Sequence, residues 1–201
     1  VDVDLEKFFD RVNHDVLMGR LTRRIGDRAA LRLIRRYLEA GVMSAGVVLL
    51  EARDEGTPQG GPLSPLLANV LLDDVDKALE KRGHAFVRYA DDCNVYVRSK
   101  RAGERVMKLL RRLFARLHLT INESKSAVAP IGKRRILGFT LGLFRGDVQR
   151  RISSKAQLAL KTRIRRMTRR VAGRSLSQTV RTLRQYLIGW KGYFQLAQTP
   201  S

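Results

Sequence analysis

The sequence predicts an α+β fold, with an antiparallel sheet and packed helices leading into an all-helical segment. Three observations predict it. Alternating or β-branched runs occur at 1–6 and on both sides of residues 89–92. Between and after them, apolar residues recur at helical spacing. The charge also shifts along the chain: residues 1–95 carry 14 Lys/Arg against 16 Asp/Glu, whereas 96–201 carry 26 against 3. The basic half ends in a region that reads as helix, and a domain boundary is expected near 150.

Taken in order, Val1-Asp2-Val3-Asp4-Leu5-Glu6 alternates as a short strand. Val16/Leu17, Leu21 and Ile25 follow at helical spacing, and a second helix is expected over 27–40. Residues 42–53 are Val- and Leu-rich and read as β structure. Glu55 to Pro62, with three glycines and two prolines, excludes regular helix or central strand. Pro65 then opens a helix striped by Ala68, Leu72, Val75 and Leu79, and Gly83 ends it. Ala85–Arg88 and Val95–Val97 flank Tyr89-Ala90-Asp91-Asp92 as a hairpin. A helix over 101–117 buries Val106, Leu109/Leu110, Leu113 and Leu117; short strands are expected at 119–121, 126–130, 135–144 and near 147–152. Finally, Ser154 with Gln157 and Ser175 with Gln178 resemble capping boxes. Leu160, Ile164, Met167 and Val171 stripe the first of these two helices. Leu176, Val180, Leu183 and Leu187 should face inward on the second.

The 201 residues suffice for one or two domains with a core. No apolar run reaches membrane-spanning length and no signal-peptide pattern is present. The single cysteine, Cys93, excludes an internal disulfide and fits a reducing compartment; a bacterial cytoplasm is expected, with an organelle as the alternative. The chain opens inside a strand, as a piece of a longer protein would. A net charge of +21, concentrated in the second half, points to a polyanion. It is not confined to one amphipathic helix, which argues against a membrane surface.

The chemistry lies in the acidic half. Adjacent carboxylates at a hairpin tip repel, and each raises the other's pKa; a divalent cation relieves that cost. A strand delivering Asp4 beside Asp91 and Asp92 would give three hard oxygen ligands, suited to a pair of Mg²⁺ ions and to phosphoryl transfer. Asp2 and Glu6 share the face of Asp4, so parity alone leaves the choice among them open. His14, His84 and His118 have no ligand-like spacing and read as structural.

These motifs resemble the reverse transcriptases encoded by group II introns, the maturase family. Asp4 to Asp10 is similar to the family's first motif, with its Phe-Phe-Asp ending. Thr57-Pro58-Gln59-Gly60-Gly61-Pro62-Leu63-Ser64-Pro65 is similar to its Pro-Gln-Gly motif, and Tyr89–Asp92 to its metal-binding motif. Leu117–Lys125 and Leu137-Gly138-Phe139 follow in the family's order, and Tyr186–Phe194 resembles the start of the thumb. The resemblance implies a right-hand polymerase palm over 1–150 and the start of a helical thumb over 151–201, with the fingers missing.

It also implies roles. Asp4, Asp91 and Asp92 would bind two Mg²⁺ ions. Lys125 would stabilise charge or give a proton at the leaving pyrophosphate. Leu5, Phe9, Pro58, Gln59 and Gly60 would form the nucleotide pocket, Phe9 excluding a 2′-hydroxyl. The activity implied is RNA-directed DNA synthesis from dNTPs on an RNA template, here intron RNA, with a DNA or RNA primer. The alternative is a non-catalytic RNA-binding splicing cofactor. An RNA-synthesising polymerase is a third reading, against which Phe9 argues. Without fingers or a complete thumb, little or no activity is expected from these residues alone. Trp190 reads as a thumb-core residue and Cys93 as buried and inert.

Overall fold

The computed structural model describes residues 1–40, 43–44, 47–48, 55–57, 61–144, 146–169, 173 and 175–198. Its contacts divide the chain into two compact units, Val1–Val128 and Ala129–Ser201.

The first unit is built on a three-stranded antiparallel sheet. β1 (Asp2–Val3) pairs with β5 (Asp92–Tyr96), which pairs in turn with β4 (Ala85–Tyr89). A small hairpin, β2 (Met43–Ser44) and β3 (Val47–Val48), falls within the segment read as β structure. Directly opposed residues share a sheet face. Val3 opposes Cys93, Arg88 opposes Cys93, and Phe86 opposes Val95, so these side chains lie on one face. Asp2 opposes Asn94, Val87 opposes Asn94, and Tyr89 opposes Asp92, which puts both aspartates on the other face.

Helices cover the apolar face. α1 (His14–Leu21) is capped by the Asn13 side chain and α2 (Arg28–Glu39) by Asp27. α3 (Ser64–Glu80) opens with Pro65 in its first turn and buries Leu67, Ala68, Leu71, Leu72, Val75 and Leu79. Gly83, at φ +68°, follows it as the stop the sequence indicated. α4 (Lys100–Ala115), capped by Ser99, buries Gly103, Val106, Met107, Leu110 and Phe114. A Cβ at Gly103 would lie 2.4 Å from Val128 Cγ1 and within 3.5 Å of Val1 and Val97 side chains. Val1 and Val97 continue the parity of Val3 and Val95, so α4 lies on the sheet face opposite Asp2 and Asp92.

The strands expected at 119–121 and 126–130 are reduced to isolated bridges, Leu5 with Ile121 and Asp2 with Ala127. A tight turn explains this: Asn122 accepts from the backbone N–H and hydroxyl of Ser124, and its own N–H donates to the Asp4 carbonyl. The chain touches β1 at several points without extending a ladder.

The second unit contains a hairpin, β6 (Phe139–Phe144) with β7 (Asp147–Ile152), and two helices, α5 (Ser154–Met167) and α6 (Leu176–Tyr193). Phe139 stacks 6.3 Å from Tyr193 and 5.1 Å from Phe194, tying the hairpin to α6. Gly138, at φ +82°, lets the Phe194 ring approach; a Cβ there would lie 3.1 Å from it.

Two sequence readings need correction here. Ser153, not Ser154, caps α5 by accepting from Ala156 N–H, while Gln157 reaches back to the Ile152 carbonyl. Leu176, Val180 and Leu187 are exposed rather than inward. The half-buried line of α6 is Leu183, Tyr186, Trp190 and Phe194, because the aromatic rings bury more surface than the neighbouring aliphatic row. Trp190 packs 4.7 Å from Phe194, as a core residue would. The Ser175–Gln178 capping box is formed as read.

Candidate active site

The acidic site is assembled by sheet register. β4 and β5 meet at a two-residue loop, Ala90-Asp91, with Tyr89 paired to Asp92. Ala90 adopts φ +54°, a conformation costly for a residue with a Cβ. On the other side of β5, Asp2 pairs with Asn94 and Val3 with Cys93; β1 ends there, and the same register carried one residue further would set Asp4 level with Asp92. The Asp4 backbone is fixed from outside: its N–H donates to Ser126 Oγ at 3.0 Å, and its carbonyl accepts from Asn122 N–H at 2.9 Å.

The electrostatics register this convergence. Burial raises the Asp91 carboxyl above its ordinary range and the Asp4 charge adds to the shift, while Lys125 opposes it. Burial also raises Asp92, followed by the charges of Asp91, Asp4 and Asp2. Lys125 Nζ lies 3.4 Å from Asp4 Oδ1. The structure therefore brings Asp4, Asp91, Asp92 and Lys125 together, and places Asp2 at their margin.

Among the described residues, no three His, Cys, Asp or Glu side chains close into a ready-made metal cage. The donor set nonetheless fits Mg²⁺, which keeps several waters and is held by one or two carboxylates together with substrate phosphates. Carboxylates that burial and neighbouring negative charge both penalise, as at Asp91 and Asp92, are the oxygen donors such an ion would stabilise.

The neighbouring elements hold the other expected residues. Phe8 is buried in the core, whereas Phe9 is half-buried, its ring 5.1 Å from that of Phe8. Leu5 is buried at 3% exposure, so it can offer a nucleotide only its backbone. Pro58, Gln59 and Gly60 lie outside the described residues. The segment leading into them is anchored to the Phe9 turn: Thr57 N–H donates to the Phe9 carbonyl at 2.7 Å and Gly56 N–H to the Val12 carbonyl at 2.8 Å.

One residue at the site, Arg88, was missed by sequence reasoning. Arg88 donates to both oxygens of Asp76, through Nε at 2.8 Å on one of them, and through Nη1 to Asn69 Oδ1 and the Ala90 carbonyl, each at 2.9 Å. It joins the strained loop to α3. An arginine within a β-forming run, on the face parity assigns to the core, was the available signal. His14, read as structural, is fully buried and bonds through Nε2 to the Gly56 carbonyl at 2.6 Å, as a structural residue would. A carbonyl only accepts, so Nε2–H is the donor. Cys93, behind the carboxylates, is buried, which pushes its thiol pKa up to about 12 and leaves it unreactive.

Comparison with known proteins adds an independent line. Residues 1–141 match the reverse transcriptase (RNA-dependent DNA polymerase) family, and residues 157–201 match the maturase-specific domain of group II introns. Protein YkfC of Escherichia coli (strain K12) is 40% identical over 82 residues, covering 41% of this chain and 21% of that protein. The group II intron-encoded protein LtrA of Lactococcus lactis subsp. cremoris is 39% identical over 77 residues, 38% of this chain and 12% of LtrA. The retron Ec86 reverse transcriptase of Escherichia coli is 29% identical over 89 residues, 42% of this chain and 28% of the relative. The chain thus spans only a minor part of the length of these relatives.

Proposed function

The chain belongs to the reverse transcriptase family, in its group II intron-encoded branch, and from that premise we propose that its first unit is the catalytic palm of an RNA-directed DNA polymerase. The observation that carries the reading is the register opposing Tyr89 to Asp92 and leading Asp4 to the same point of the sheet.

When bound, Mg²⁺ would supply charge neutralisation at the attacking and leaving oxygens of nucleotidyl transfer. Asp4, Asp91 and Asp92 would hold two such ions. The remaining work falls to the chain itself. Lys125, beside Asp4, presents a mobile ammonium to a departing polyphosphate. Phe9 borders the sugar of an incoming dNTP, with the backbone at Leu5 beneath it. Pro58, Gln59 and Gly60 complete the pocket. The 3′-hydroxyl of a DNA or RNA primer attacks the α-phosphate over an RNA template.

A maturase role in intron splicing is proposed beside it, favoured by the match over 157–201 and by the 13 basic residues and no acidic one from Arg150 onward. The proposed division is palm over 1–150 and start of the thumb over 151–201, with family matches on either side of it.

The test is Mg²⁺-dependent extension of a DNA primer on an RNA template by the protein that carries this chain. Asp91→Asn with Asp92→Asn should abolish extension and leave RNA binding and splicing intact. Undiminished extension would refute the palm assignment. Loss of splicing together with extension would refute its separation from the maturase role.

A further inference from the structure

We infer that the outer face of α4 is a second RNA-binding surface, which holds a duplex segment away from the catalytic carboxylates. With 100° between successive helical residues, Arg101, Arg105, Lys108, Arg112 and the C-cap Arg116 fall within about 80° of arc and span about 22 Å. All five are exposed. The arc is centred opposite the buried line of Gly103, Val106, Met107, Leu110 and Phe114.

The stripe has no internal neutralisation. Among the described residues, no carboxylate forms an ion pair with any of the five. Two acids lie nearby: Glu123 is held by Arg111 through two bonds of 2.9 Å, and Glu104, four residues before Lys108 and about 40° outside the arc, forms no ion pair with the stripe among the described residues. Solvated helix faces usually interleave the two signs, and like charges at i,i+4 destabilise a helix. Arg101/Arg105, Lys108/Arg112 and Arg112/Arg116 are three such pairs. An arrangement that opposes its own helix is relieved by an external polyanion, whose condensed counterions are released on binding.

Position sets which part of the polyanion it meets. Gly103 seats α4 against Val1 and Val97, on the sheet face opposite Asp2 and Asp92. The full thickness of a helix, about 10 Å, and the sheet therefore separate the stripe from the carboxylates. A template–primer at the carboxylates cannot reach the stripe at that same point, so the stripe needs a separate segment. The inference rests on the proposed function only for the choice of RNA as the polyanion.

The test uses the 201-residue chain and a 30-base-pair RNA duplex, with affinity measured across KCl concentrations. The variant Arg105→Gln/Lys108→Gln/Arg112→Gln removes three stripe cations. A control, Arg23→Gln/Arg32→Gln/Lys81→Gln, removes three exposed cations scattered over the same unit. Each phosphate contact contributes about 0.9 to the salt slope. The stripe variant should lose about 2 to 3 from the slope and bind at least tenfold more weakly at 0.1 M KCl, while the control stays within twofold. Arg105→Lys/Arg112→Lys should retain affinity, since it retains charge on a folded helix. Equal losses in stripe variant and control would overturn the inference as a net-charge effect. So would an unchanged stripe variant, tighter stripe-dependent binding to the matching DNA duplex, or stripe-dependent binding to anionic lipid vesicles in place of RNA. Failure of primer extension leaves this result untouched, because duplex affinity is read in a separate assay that involves no extension.

Discussion

Arg88 and Asp76 form a nearly buried ion pair, 9% and 22% exposed, that links the β4–β5 hairpin to α3. Arg88 also donates to the carbonyl of Ala90, the positive-φ residue directly before Asp91, which ties the pair to the hairpin tip. Removing one partner of a buried pair strands the other charge, which costs about 3–5 kcal/mol when burial is complete. Arg88→Ala should therefore destabilise the first unit by about 3 kcal/mol in urea unfolding, toward the low end because Asp76 keeps some solvent. Arg88→Lys preserves charge but cannot span Asp76, Asn69 and Ala90 together. It should recover part of the stability and little of the extension rate. Full recovery of extension by lysine would show that the clamp does not position the loop.

Asp91 and Asp92 place a stability cost on the folded state at neutral pH. Burial is the largest cause of both raised pKa values, ahead of the neighbouring carboxylates. The folded state therefore holds these protons more tightly than the unfolded chain does. Stability falls as pH rises from the ordinary 3.8 through the raised values, and the loss is complete above them. In EDTA at pH 7, Asp92→Asn should raise the unfolding midpoint and flatten the decline above pH 4. Added Mg²⁺ should stabilise the unaltered chain more than the variant, because a ligand of the folded state shifts the equilibrium by mass action. A lower midpoint for Asp92→Asn in EDTA would contradict the electrostatic account.

The Lys125–Asp4 contact behaves differently because it is open to water, at 64% and 25% exposure. Exposed pairs contribute about 0–1 kcal/mol, so Lys125→Gln should leave the urea midpoint nearly unchanged. Its positive charge lowers the pKa of both Asp91 and Asp92. Removing it should move the acid limb of the pH–rate profile to higher pH. If Lys125 also gives the proton to pyrophosphate, the plateau rate should drop about 10²-fold or more. A shifted acid limb with an intact plateau would assign Lys125 to electrostatics alone.

What was legible in the sequence follows the range of the interactions. The hairpin, α3, α4 and the Ser175–Gln178 cap are set by residues within a few positions of one another, and all were readable. Asp4 was visible as a candidate, but parity could not separate it from Asp2 and Glu6. In the folded chain Asp4 acts on both Asp91 and Asp92, Asp2 on Asp92 alone and Glu6 on neither, a difference that only the pairing of distant strands creates. Arg88 was passed over because, along the chain, an arginine in a strand looks solvated; only α3 supplies Asp76 and Asn69. On α6 the aliphatic and aromatic rows lie side by side and share Leu183, so spacing supported either, and ring packing onto Phe139 decided.

Gly103 sets two effects of known size against each other. Alanine in place of an interior helical glycine favours the helix by about 1 kcal/mol. The added Cβ, however, would lie 2.4 Å from Val128 Cγ1, with Val1 and Val97 methyls close by. Valine is stiff at χ1 and cannot swing clear, and overpacking of this kind costs about 1–3 kcal/mol. Gly103→Ala should therefore destabilise the first unit by about 1 kcal/mol net, the clash outweighing propensity. Val128→Ala should relieve it, making the double variant more stable than the sum of the two single changes by about 1 kcal/mol or more in a double-mutant cycle. Val128 adjoins Ala127, whose N–H and carbonyl both pair with Asp2 at 2.9 Å. The clash should therefore also loosen β1 and speed amide exchange at Asp2 and Ala127. A stabilised Gly103→Ala with unchanged exchange would show that α4 can move off the sheet without disturbing the strand that delivers Asp4.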